Sequence, residues 1–516
     1  MIEADVLIVG SGPAGISAAW PLVEAGLSVV MVDAGNPTLP SPPRAEIATW
    51  RRDPHHWRDM LGQDLGALAI SGDFSPKFRT PLGRAVLDAG RDQAPALSTN
   101  TVVAARAASP GGLSSIWGAF CSAFNEEDLR GFAITPADLA TGYRAVAERI
   151  GISGADDDLG GFHGAGNWLQ KPIPLAQPAQ HVLRRYGEAS PLLGFQLGRS
   201  RNAVLTKDRA ERKGCVQCGL CLYGCAHGSI YDSRFDLRDL QKFKNFRYYA
   251  KAPVQRLLDA DRERQRVELL LAGQTVVGEA KALVLAAGTI NSTALALDYF
   301  QMFDAKIRLL TNPVAAMAFI VPQLVGADFP QETFGLGQLS YRLALPDNDY
   351  AAGVFYGADT LSLDVFASRM PFSRPTALRL SAALMPSLLL ATCYLPGAYS
   401  ANSLSFVHKD GRGEVTIEGN ISAQARELLR GSGKGLGRGM RRLGAYSVPL
   451  SFTISPPGSD AHFGGTIPMG GDGRMSCSRD CELVNARGVY VVDGSWLPKL
   501  PAKHLTFTLI ELPPEI

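Results

Sequence analysis

Residues 6–15 read VLIVGSGPAG, and this stretch decides the fold. Four apolar residues, typical of a buried strand, lead into glycines spaced G-x-G-x-x-G. A helix-forming segment follows up to Ala25, and a second apolar strand at 28–32 is followed by Asp33. This order predicts a Rossmann-type dinucleotide-binding unit, in which the carboxylate of Asp33 accepts hydrogen bonds from ribose hydroxyls.

Each glycine of the motif has a mechanical role. Gly10 permits the turn, Gly12 lets the backbone approach a pyrophosphate, and Gly15 lets the helix pack closely on the strand. The helix N-terminus, at Pro13 and Ala14, supplies free N–H groups and partial positive charge to the phosphates. The motif therefore predicts a complete phosphate-binding turn in its full structural context.

The composition is that of a globular protein with room for two or three domains. The chain has 516 residues, of which 46% are hydrophobic and 19% are charged. Because 51 Lys and Arg balance 49 Asp and Glu, we expect no nucleic acid partner. The first residues lack the pattern of a secretory signal, so we expect a cytoplasmic protein, with peripheral contact at the inner membrane left open.

Two histidines near the C-terminus stand in distinctive surroundings. His462 lies in the segment DAHFGGTIPMG and His504 in the segment LPAKHLTFT. Upstream are the glycine-rich segment 111–118, GGLSSIWG, and the strand end 286–290, AAGTI. In order and spacing these segments resemble the glucose–methanol–choline (GMC) flavoprotein oxidoreductases, and the resemblance covers both ends and the middle of the chain.

The resemblance implies an α/β FAD-binding Rossmann-like domain plus an α+β substrate domain with a mostly antiparallel sheet. Short alternating runs at 403–407 and 414–417, joined by a Gly-containing turn, also predict an antiparallel hairpin. The predicted FAD-binding domain comprises 1–40, 95–135, 210–310 and 456–516, with a cysteine-rich insert at 213–232. The predicted substrate-binding domain and its excursions comprise 41–94, 136–209 and 311–455.

By the same resemblance, His462 is the expected catalytic base and His504 its partner, both beside the flavin. Oxidation of an alcohol by hydride transfer needs a base for the hydroxyl proton and a donor that holds the oxygen. Imidazole suits both tasks near neutral pH. Two unrelated histidines buried in a core are the alternative.

The resemblance also assigns FAD contacts beyond the glycine motif and Asp33. The further contacts expected are Gly111, Gly112, Ser114 and Trp117 along the isoalloxazine and ribityl, Val254 near the adenine, Gly288 near the pyrophosphate, Asp493 and Gly494 near the ribityl and pyrophosphate, and Leu505 and Thr506. A plain core role for Trp117 is left open. Because segment 111–118 holds no histidine, a histidyl–flavin bond there is excluded and non-covalent FAD is expected.

Four of the eight cysteines form the run C-x2-C-x2-C-x3-C: Cys215, Cys218, Cys221 and Cys225. This is the iron–sulfur spacing of bacterial ferredoxins, and the thiolates are too close together for a well-shaped structural zinc site. Buried thiols without a metal are the alternative. Iron–sulfur sugar and alcohol dehydrogenases of the family are more similar still, since they hold a three-iron cluster on cysteines that match Cys215, Cys221 and Cys225. The extra Cys218 leaves both a 3Fe-4S and a 4Fe-4S cluster open.

A cluster beside a flavin implies electron transfer in single steps to an external acceptor, such as a cytochrome, a quinone or a carrier protein. We therefore expect a dehydrogenase that oxidises a sugar, polyol or glycoside hydroxyl. One alternative is an oxygen-dependent alcohol oxidase with structural cysteines. The other is a non-catalytic flavin and iron–sulfur electron-transfer protein.

Two further segments concern partners. Residues 380–398 carry no charge but include two prolines, so we expect a buried helix or a wall of the substrate pocket, with membrane contact left open. The basic residues between 426 and 442 are expected on a solvated helix face. A phosphorylated or lipid-linked substrate, or an anionic membrane, is the alternative for that face.

Overall fold

The computed structural model describes residues 2–36, 38–51, 53–68, 75–164, 166–190, 194–259 and 264–511. Within these ranges the strands are β1 Ile2–Val9, β2 Val29–Val32, β3 Ala96–Thr99, β4 Phe195–Arg199, β5 Phe246–Tyr249, β6 Val254–Leu258, β7 Gln265–Leu271, β8 Gln274–Leu285, β9 Ile307–Leu309, β10 Val314–Ile320, β11 Gly337–Ala344, β12 Tyr350–Gly357, β13 Leu388–Tyr394, β14 Ser400–Lys409, β15 Arg412–Ile421, β16 Tyr446–Ser447, β17 Thr453–Ile454 and β18 Val489–Val491. The α-helices in the same ranges are α1 Pro13–Glu24, α2 Ile47–Trp50, α3 Pro54–Leu61, α4 Pro81–Asp88, α5 Pro136–Ile150, α6 Gly160–His163, α7 Gln177–Glu188, α8 Arg234–Leu240, α9 Thr289–Tyr299, α10 Asp364–Ala367, α11 Arg374–Leu384, α12 Ala423–Arg442 and α13 Thr506–Leu509.

The first sheet is built around the glycine motif. Its strand order is β5-β2-β1-β8-β7-β6, and β18 also pairs with β8. Strands β1, β2, β5, β8 and β18 are parallel, whereas β6, β7 and β8 form an antiparallel meander. The predicted Rossmann-like unit is therefore confirmed, and the later apolar run that ends near residue 285 returns to the same sheet as β8.

The parallel strands place their carboxyl ends at one edge of this sheet, where ligands of such sheets bind. Gly10 follows β1, Asp33 follows β2, Gly288 lies just after β8 and Asp493 just after β18. Four segments that are far apart in the sequence thus supply predicted FAD contacts at a single edge.

Two motif glycines are required by close backbone approaches. Gly10 has φ +105°, and a Cβ there would lie 2.4 Å from the carbonyl oxygen of Ala286. A Cβ on Gly15 would lie 2.0 Å from the carbonyl oxygen of Gly10. Only glycine permits these approaches without moving the backbone, so the strand, turn and helix pack as tightly as the motif predicts.

The second sheet belongs to the predicted substrate domain. Its order is β16-β10-β13-β12-β11-β4, with β17 also on β10, and these strands pair antiparallel throughout. Helices α7 and α12 pack against it, and buried Phe319, Tyr341, Phe355 and Leu436 form part of the core between them. The mostly antiparallel sheet expected from the sequence is confirmed.

A third sheet, β3-β15-β14-β9, contains the predicted hairpin. Strands β14 and β15 pair antiparallel up to the Lys409–Arg412 turn. Strand β14 contacts α9, and its buried Leu404 shares a core with Leu297 of that helix. The hairpin therefore lies against a helix of the nucleotide-binding unit. The exact domain boundaries stay a prediction, and residues 512–516 of the last segment lie outside the described residues.

The uncharged segment 380–398 is part helix and part strand. Helix α11 ends at Leu384, and strand β13 spans Leu388–Tyr394. The expectation of a single buried helix is wrong here, because a short apolar run does not by itself distinguish a buried strand from a helix. The alternative expectation is that this segment forms a wall of a pocket. Leu390 and Thr392 do line the main cavity.

The structure also bears on the two segments for which membrane contact is left open, residues 380–398 and 426–442. Among the described residues, no helix has the length and apolar character that a membrane crossing needs. The basic side chains of α12 are exposed, as expected for a solvated face: Arg426, Arg430, Lys434, Arg438, Arg441 and Arg442.

Candidate active site

A cavity of about 1150 Å³ extends from the edge of the first sheet to the antiparallel sheet. It exceeds the roughly 300–1,000 Å³ of a typical small-molecule pocket, so it offers room for a large cofactor together with a substrate. Most of the site residues predicted from the sequence line it: Gly10, Gly12, Pro13, Ala14, Asp33, Gly112, Ser114, Trp117, Val254, Gly288, His462, Asp493, Gly494, His504, Leu505 and Thr506. Gly15 and Gly111 lie behind this wall, in contact with neighbouring backbone or side chains.

Glycines on the cavity wall leave the backbone accessible. A Cβ added to Gly12 or to Gly288 would meet no atom of the described residues within 4 Å. A Cβ on Gly112 would meet only the Cα of Gly12, at 3.4 Å. These three positions therefore present bare backbone to the cavity, as a pyrophosphate-binding turn requires.

Asp33 lines the cavity, but its carboxylate also holds the glycine turn. Oδ1 accepts the backbone N–H of Ser11 at 3.0 Å, while Oδ2 accepts the hydroxyl groups of Ser11 and, at 2.9 Å, of Tyr248. Burial raises the pKa of Asp33 to about 6, against these hydrogen bonds, which lower it. Oδ1 keeps a second lone pair, so a ribose hydroxyl remains a compatible partner.

Asp493 has a comparable double role. Its carboxylate accepts the Ser292 hydroxyl at 2.5 Å and the backbone N–H of Ser495 at 3.1 Å. Burial is the largest effect on its pKa, which is raised. These bonds join the turn after β18 to helix α9 and fix the backbone at Gly494, which lines the cavity.

Arg106 is a cavity residue that no motif in the sequence pointed to. Its Nη1 atom is buried and has no hydrogen-bond partner among the described residues. Burial, followed by the nearby Arg91 and Arg412, lowers the pKa of Arg106 to about 10. An unpaired buried cation is costly unless an anion joins it, so the residues present fit a dinucleotide cofactor with an anionic pyrophosphate.

His462 and His504, which the sequence predicts as the catalytic pair, are brought together at the other end of the cavity. Their ring centroids lie 5.1 Å apart and their planes meet at 88°. His504 stacks on Phe120, with centroids 4.4 Å apart, and meets the edge of Tyr394 at 5.4 Å. Both imidazoles are therefore held by ring contacts.

Asn312 fixes the tautomer of His462. The Nδ2 group of Asn312 donates to the carbonyls of Leu395, at 2.8 Å, and Pro501, at 2.9 Å. Its Oδ1 must therefore be the acceptor in the 3.0 Å contact with Nδ1 of His462. Nδ1 carries the proton as a result, and Nε2 carries the lone pair that a base needs.

Burial and a neighbouring carboxyl group set the electrostatics of this pair. Burial lowers the pKa of His462 to about 4, so the imidazole is neutral at pH 7. The pKa of His504 is also lowered, by burial and then by His462. Asp460 lies 3.6 Å from Nδ1 of His462, and burial raises its pKa to about 8.

The cysteine run borders the same cavity. Leu222, next to Cys221 in the sequence, lines it together with Trp117. The indole N–H of Trp117 donates to the Tyr231 carbonyl at 2.7 Å, and Nζ of Lys77 donates to the Trp117 carbonyl at 2.6 Å. Trp117 thus contacts both the cavity and the segment that follows the cysteines, and its contact with the flavin stays a prediction.

The loop of the cysteine run is fixed by its backbone. Thr333 donates its N–H to the Gln217 carbonyl at 2.7 Å, and Ile47 donates to the Cys218 carbonyl at 2.8 Å. A Cβ on Gly219, which has φ +77°, would lie 2.3 Å from Ile47. The turn between the second and third cysteines is therefore specific to glycine.

Three thiols of the run accept backbone N–H groups: Cys215 from Gln217, Cys218 from Leu220, and Cys221 from Gly335, the last at 3.4 Å. Hydrogen bonds of this kind tune the sulfurs of iron–sulfur clusters. Across the described part of the chain, however, no group of three or more His, Cys, Asp or Glu side chains is placed to hold a metal ion. The donor types fit a cluster, whereas the arrangement of the thiols does not form a metal site.

Two family models match separate regions of the chain, and both regions contribute residues to the cavity. Residues 3–52 match the family model of an FAD binding domain, and residues 413–512 match the model described as GMC oxidoreductase. Thiamine thiazole synthase from Aeropyrum pernix is 51% identical over 35 residues, which are 7% of this chain and 13% of that protein.

Two solved structures share the fold over nearly the full length. Pyridoxine 4-oxidase from Mesorbium loti has a TM-score of 0.59 at 15% identity, and formate oxidase from Aspergillus oryzae RIB40 has a TM-score of 0.59 at 13% identity. Each comparison covers 99% of this chain and 97% of the other.

The fold and the two matched regions define an FAD-dependent oxidoreductase. More specifically, residues 413–512 are similar to the GMC oxidoreductases, a class that acts on CH–OH groups, and the two solved structures share the fold. The resemblance of its cysteine run to the iron–sulfur members of the family stays a prediction.

Proposed function

We propose that the chain is a dehydrogenase that oxidises an alcohol to a carbonyl compound, with His462 as the base. The observation that carries this proposal is the pair of partly buried, perpendicular imidazoles on the cavity wall, one of which has a defined tautomer. FAD, when bound, supplies the acceptor for the hydride from the alcohol carbon.

The side chains divide the remaining work. Nε2 of His462 takes the hydroxyl proton, because Nδ1 is occupied by Asn312 and burial keeps the ring neutral. Once it ionises, at a pH above its pKa of about 8, Asp460 lies close enough to Nδ1 to stabilise the imidazolium when it forms. His504, held by Phe120 and Tyr394, orients the substrate oxygen.

Arg106 and the bare glycine backbone hold the cofactor phosphates in this proposal. The unpaired Nη1 of Arg106 supports that role, as do the open positions at Gly12 and Gly288. The assignment of the other FAD contacts is also a proposal, and so is non-covalent binding, which rests on the absence of histidine from segment 111–118.

We also propose that Cys215, Cys218, Cys221 and Cys225 hold an iron–sulfur cluster, either 3Fe-4S or 4Fe-4S. The spacing of the cysteines, their N–H···S bonds and their position beside the cavity wall support it. Such a cluster would supply one-electron chemistry, which favours an external acceptor such as a cytochrome, quinone or carrier protein. The acceptor, a cytoplasmic location and peripheral membrane contact stay predictions.

A second candidate function is an oxygen-dependent alcohol oxidase with structural cysteines. Two observations favour it: the two solved structures described above carry oxidase in their names, and the thiols do not form a metal site among the described residues. At 13–15% identity, those relatives indicate the fold and not the acceptor.

One purification separates the two functions. The protein is prepared anaerobically, FAD, iron and sulfide are quantified, and spectra are recorded before and after dithionite. One FAD with about three or four irons per chain supports the cluster, and iron should then be lost from Cys221→Ser but kept in Cys393→Ser, a buried thiol outside the run. FAD without iron or sulfide, together with rapid peroxide formation on turnover, would place the oxidase first.

A further inference from the structure

The cavity wall supplied by the antiparallel sheet and its neighbouring loops has a uniform chemistry. Between residues 314 and 394, every described residue that lines the cavity is Gly, Ala, Val, Leu, Met, Phe, Tyr or Thr. The larger apolar members are Leu336, Leu361, Val365, Phe366 and Leu390. Phe120, on which His504 stacks, extends this surface to the catalytic pair.

The charged and amide side chains of the cavity lie outside residues 314–394. Asp460 is beside His462, and Lys77 donates to the Trp117 carbonyl. Other such side chains that line the cavity are Asp33, Asp92, Gln93, Arg106 and Asp493. Arg256 and Glu268 are on the antiparallel meander of the first sheet, Asn291 and Asp298 are on α9, and Arg412 is at the hairpin turn. The part of the wall that residues 314–394 supply therefore lacks the charged and amide side chains with which proteins bind several hydroxyl groups at once.

Two hydroxyl groups of the cavity wall, those of Thr392 and Ser451, are engaged within the protein. Thr392 accepts the Val354 N–H at 3.3 Å and donates to the Val354 carbonyl at 3.4 Å. Ser451 donates to the Val448 carbonyl at 2.7 Å and accepts the Ala318 N–H at 3.0 Å. These hydroxyls are bonded to backbone, so they offer little to a polyhydroxylated ligand.

Burying a hydroxyl without a partner is costly, whereas burying hydrocarbon is favourable. A sugar in this chamber would lose water from several hydroxyl groups and find few replacements. An alcohol with one hydroxyl needs only His462 and His504, and its hydrocarbon part matches the apolar wall. The apolar wall therefore disfavours sugars and favours alcohols that carry a single hydroxyl group.

Resting on the proposed alcohol oxidation, we propose that the substrate is an apolar alcohol, whose carbon skeleton beyond the reacting hydroxyl is hydrocarbon. In the reaction the carbinol C–H bond breaks with transfer of a hydride to the flavin. The hydroxyl proton passes to Nε2 of His462, and the C=O bond forms. This substrate class differs from the sugar, polyol or glycoside expected from the sequence.

The test follows anaerobic bleaching of the flavin in the FAD-loaded enzyme with four compounds: 1-octanol, benzyl alcohol, D-glucose and sorbitol. We expect the apolar alcohols to reduce the flavin with a kcat/KM at least about tenfold above that of the sugar compounds. Faster reduction by 1-octanol identifies an alkyl skeleton, and faster reduction by benzyl alcohol an aryl one. Faster reduction by glucose or sorbitol overturns the apolar assignment and leaves alcohol oxidation intact.

Two variants give a second readout. Leu390→Gln places an amide on the apolar wall and is expected to lower kcat/KM for the apolar alcohols by about tenfold. Leu380→Gln changes a leucine that is 38% exposed on α11 and should leave it unchanged. Equal FAD content and equal melting temperature show that both variants fold. An unchanged kcat/KM in Leu390→Gln contradicts the proposal, and if no alcohol bleaches a flavin that dithionite reduces, alcohol oxidation itself fails with it.

Discussion

Nδ1 of His462 lies 3.0 Å from Oδ1 of Asn312 and 3.6 Å from Oδ2 of Asp460. The contact with Asn312 selects which ring nitrogen of His462 carries the proton, and the contact with Asp460 affects how readily the ring accepts a second proton. The tautomer and the basicity of His462 thus depend on Asn312 and Asp460, which are far apart in the sequence and meet only in the fold.

Replacing His462 with Ala should slow reduction of the flavin by substrate about 10²- to 10⁴-fold, because the hydroxyl proton loses its acceptor. FAD content should not change. Stopped-flow absorbance measures the rate, and His56→Ala, on the surface helix α3, is the control. An unchanged rate in His462→Ala would contradict the assignment of His462 as the base, whereas a wild-type flavin that no alcohol reduces would favour the non-catalytic electron-transfer alternative.

The rate should depend on pH in two steps. As the pH rises through about 4, His462 becomes neutral and kcat/KM increases. As it rises through about 8, Asp460 ionises, and its negative charge makes His462 a stronger base. Asp460→Asn should keep the lower step and lose the upper one. A profile with the upper step intact in that variant would assign the step to another group.

The free energy of unfolding should decrease as the pH rises, because of the buried carboxyl group of Asp460. Its pKa is about 8 in the folded chain and 3.8 ordinarily, so between these values the folded state holds a proton that the unfolded state releases. The stabilisation is complete below 3.8 and is lost as the pH rises through about 8, at roughly 1 kcal/mol per pH unit. Urea unfolding at several pH values should show the wild type losing stability relative to Asp460→Asn as the pH increases. Parallel curves for the two proteins would contradict this.

Two glycines of one motif should respond differently to substitution. Gly12 has φ −60°, so Gly12→Val keeps its backbone and places atoms in the cavity. Such crowding costs about 1–3 kcal/mol, or about a 5- to 150-fold loss of FAD affinity. Gly15→Ala meets backbone at 2.0 Å and should lower the melting temperature of the apoprotein. The assignment is wrong if Gly12→Val impairs folding as much as Gly15→Ala does.

Arg106→Leu should weaken FAD binding without destabilising the apoprotein. Loss of a charged hydrogen bond to a phosphate costs about 1.5–3 kcal/mol, or about tenfold or more in Kd. Removing a partly buried cation whose Nη1 has no partner among the described residues should preserve or raise the melting temperature of the apoprotein. Flavin titration and thermal unfolding measure the two effects, with exposed Arg430→Ala as the control. A destabilised apoprotein with normal FAD affinity would make Arg106 a structural residue.

Local patterns were sufficient for the parts of the molecule whose neighbours are close in sequence. The spacing of Gly10 and Gly15 predicted contacts that the structure contains, and the hairpin turn fell at Lys409–Arg412 as expected. Long-range partners were not predictable. Nothing around Asn312 or Arg106 indicates a ligand, since each acquires its role only when separate segments pack together.

The same limit applies to strands. Phe195–Arg199 joins the antiparallel sheet beside a strand that begins at Gly337, and no local pattern could reveal that pairing. The apolar run near residue 390 was equally consistent with a helix, because both structures bury such residues. Its burial could be predicted, whereas its secondary structure depended on neighbouring strands.

The cavity of about 1150 Å³ lies between the nucleotide-binding sheet and the antiparallel sheet. A ligand that binds only the folded chain stabilises it by an amount that grows with the logarithm of its concentration. FAD therefore stabilises the folded chain in addition to taking part in the reaction. Cells that are short of riboflavin should therefore contain less of this protein, because the cofactor-free chains are the ones that proteases remove.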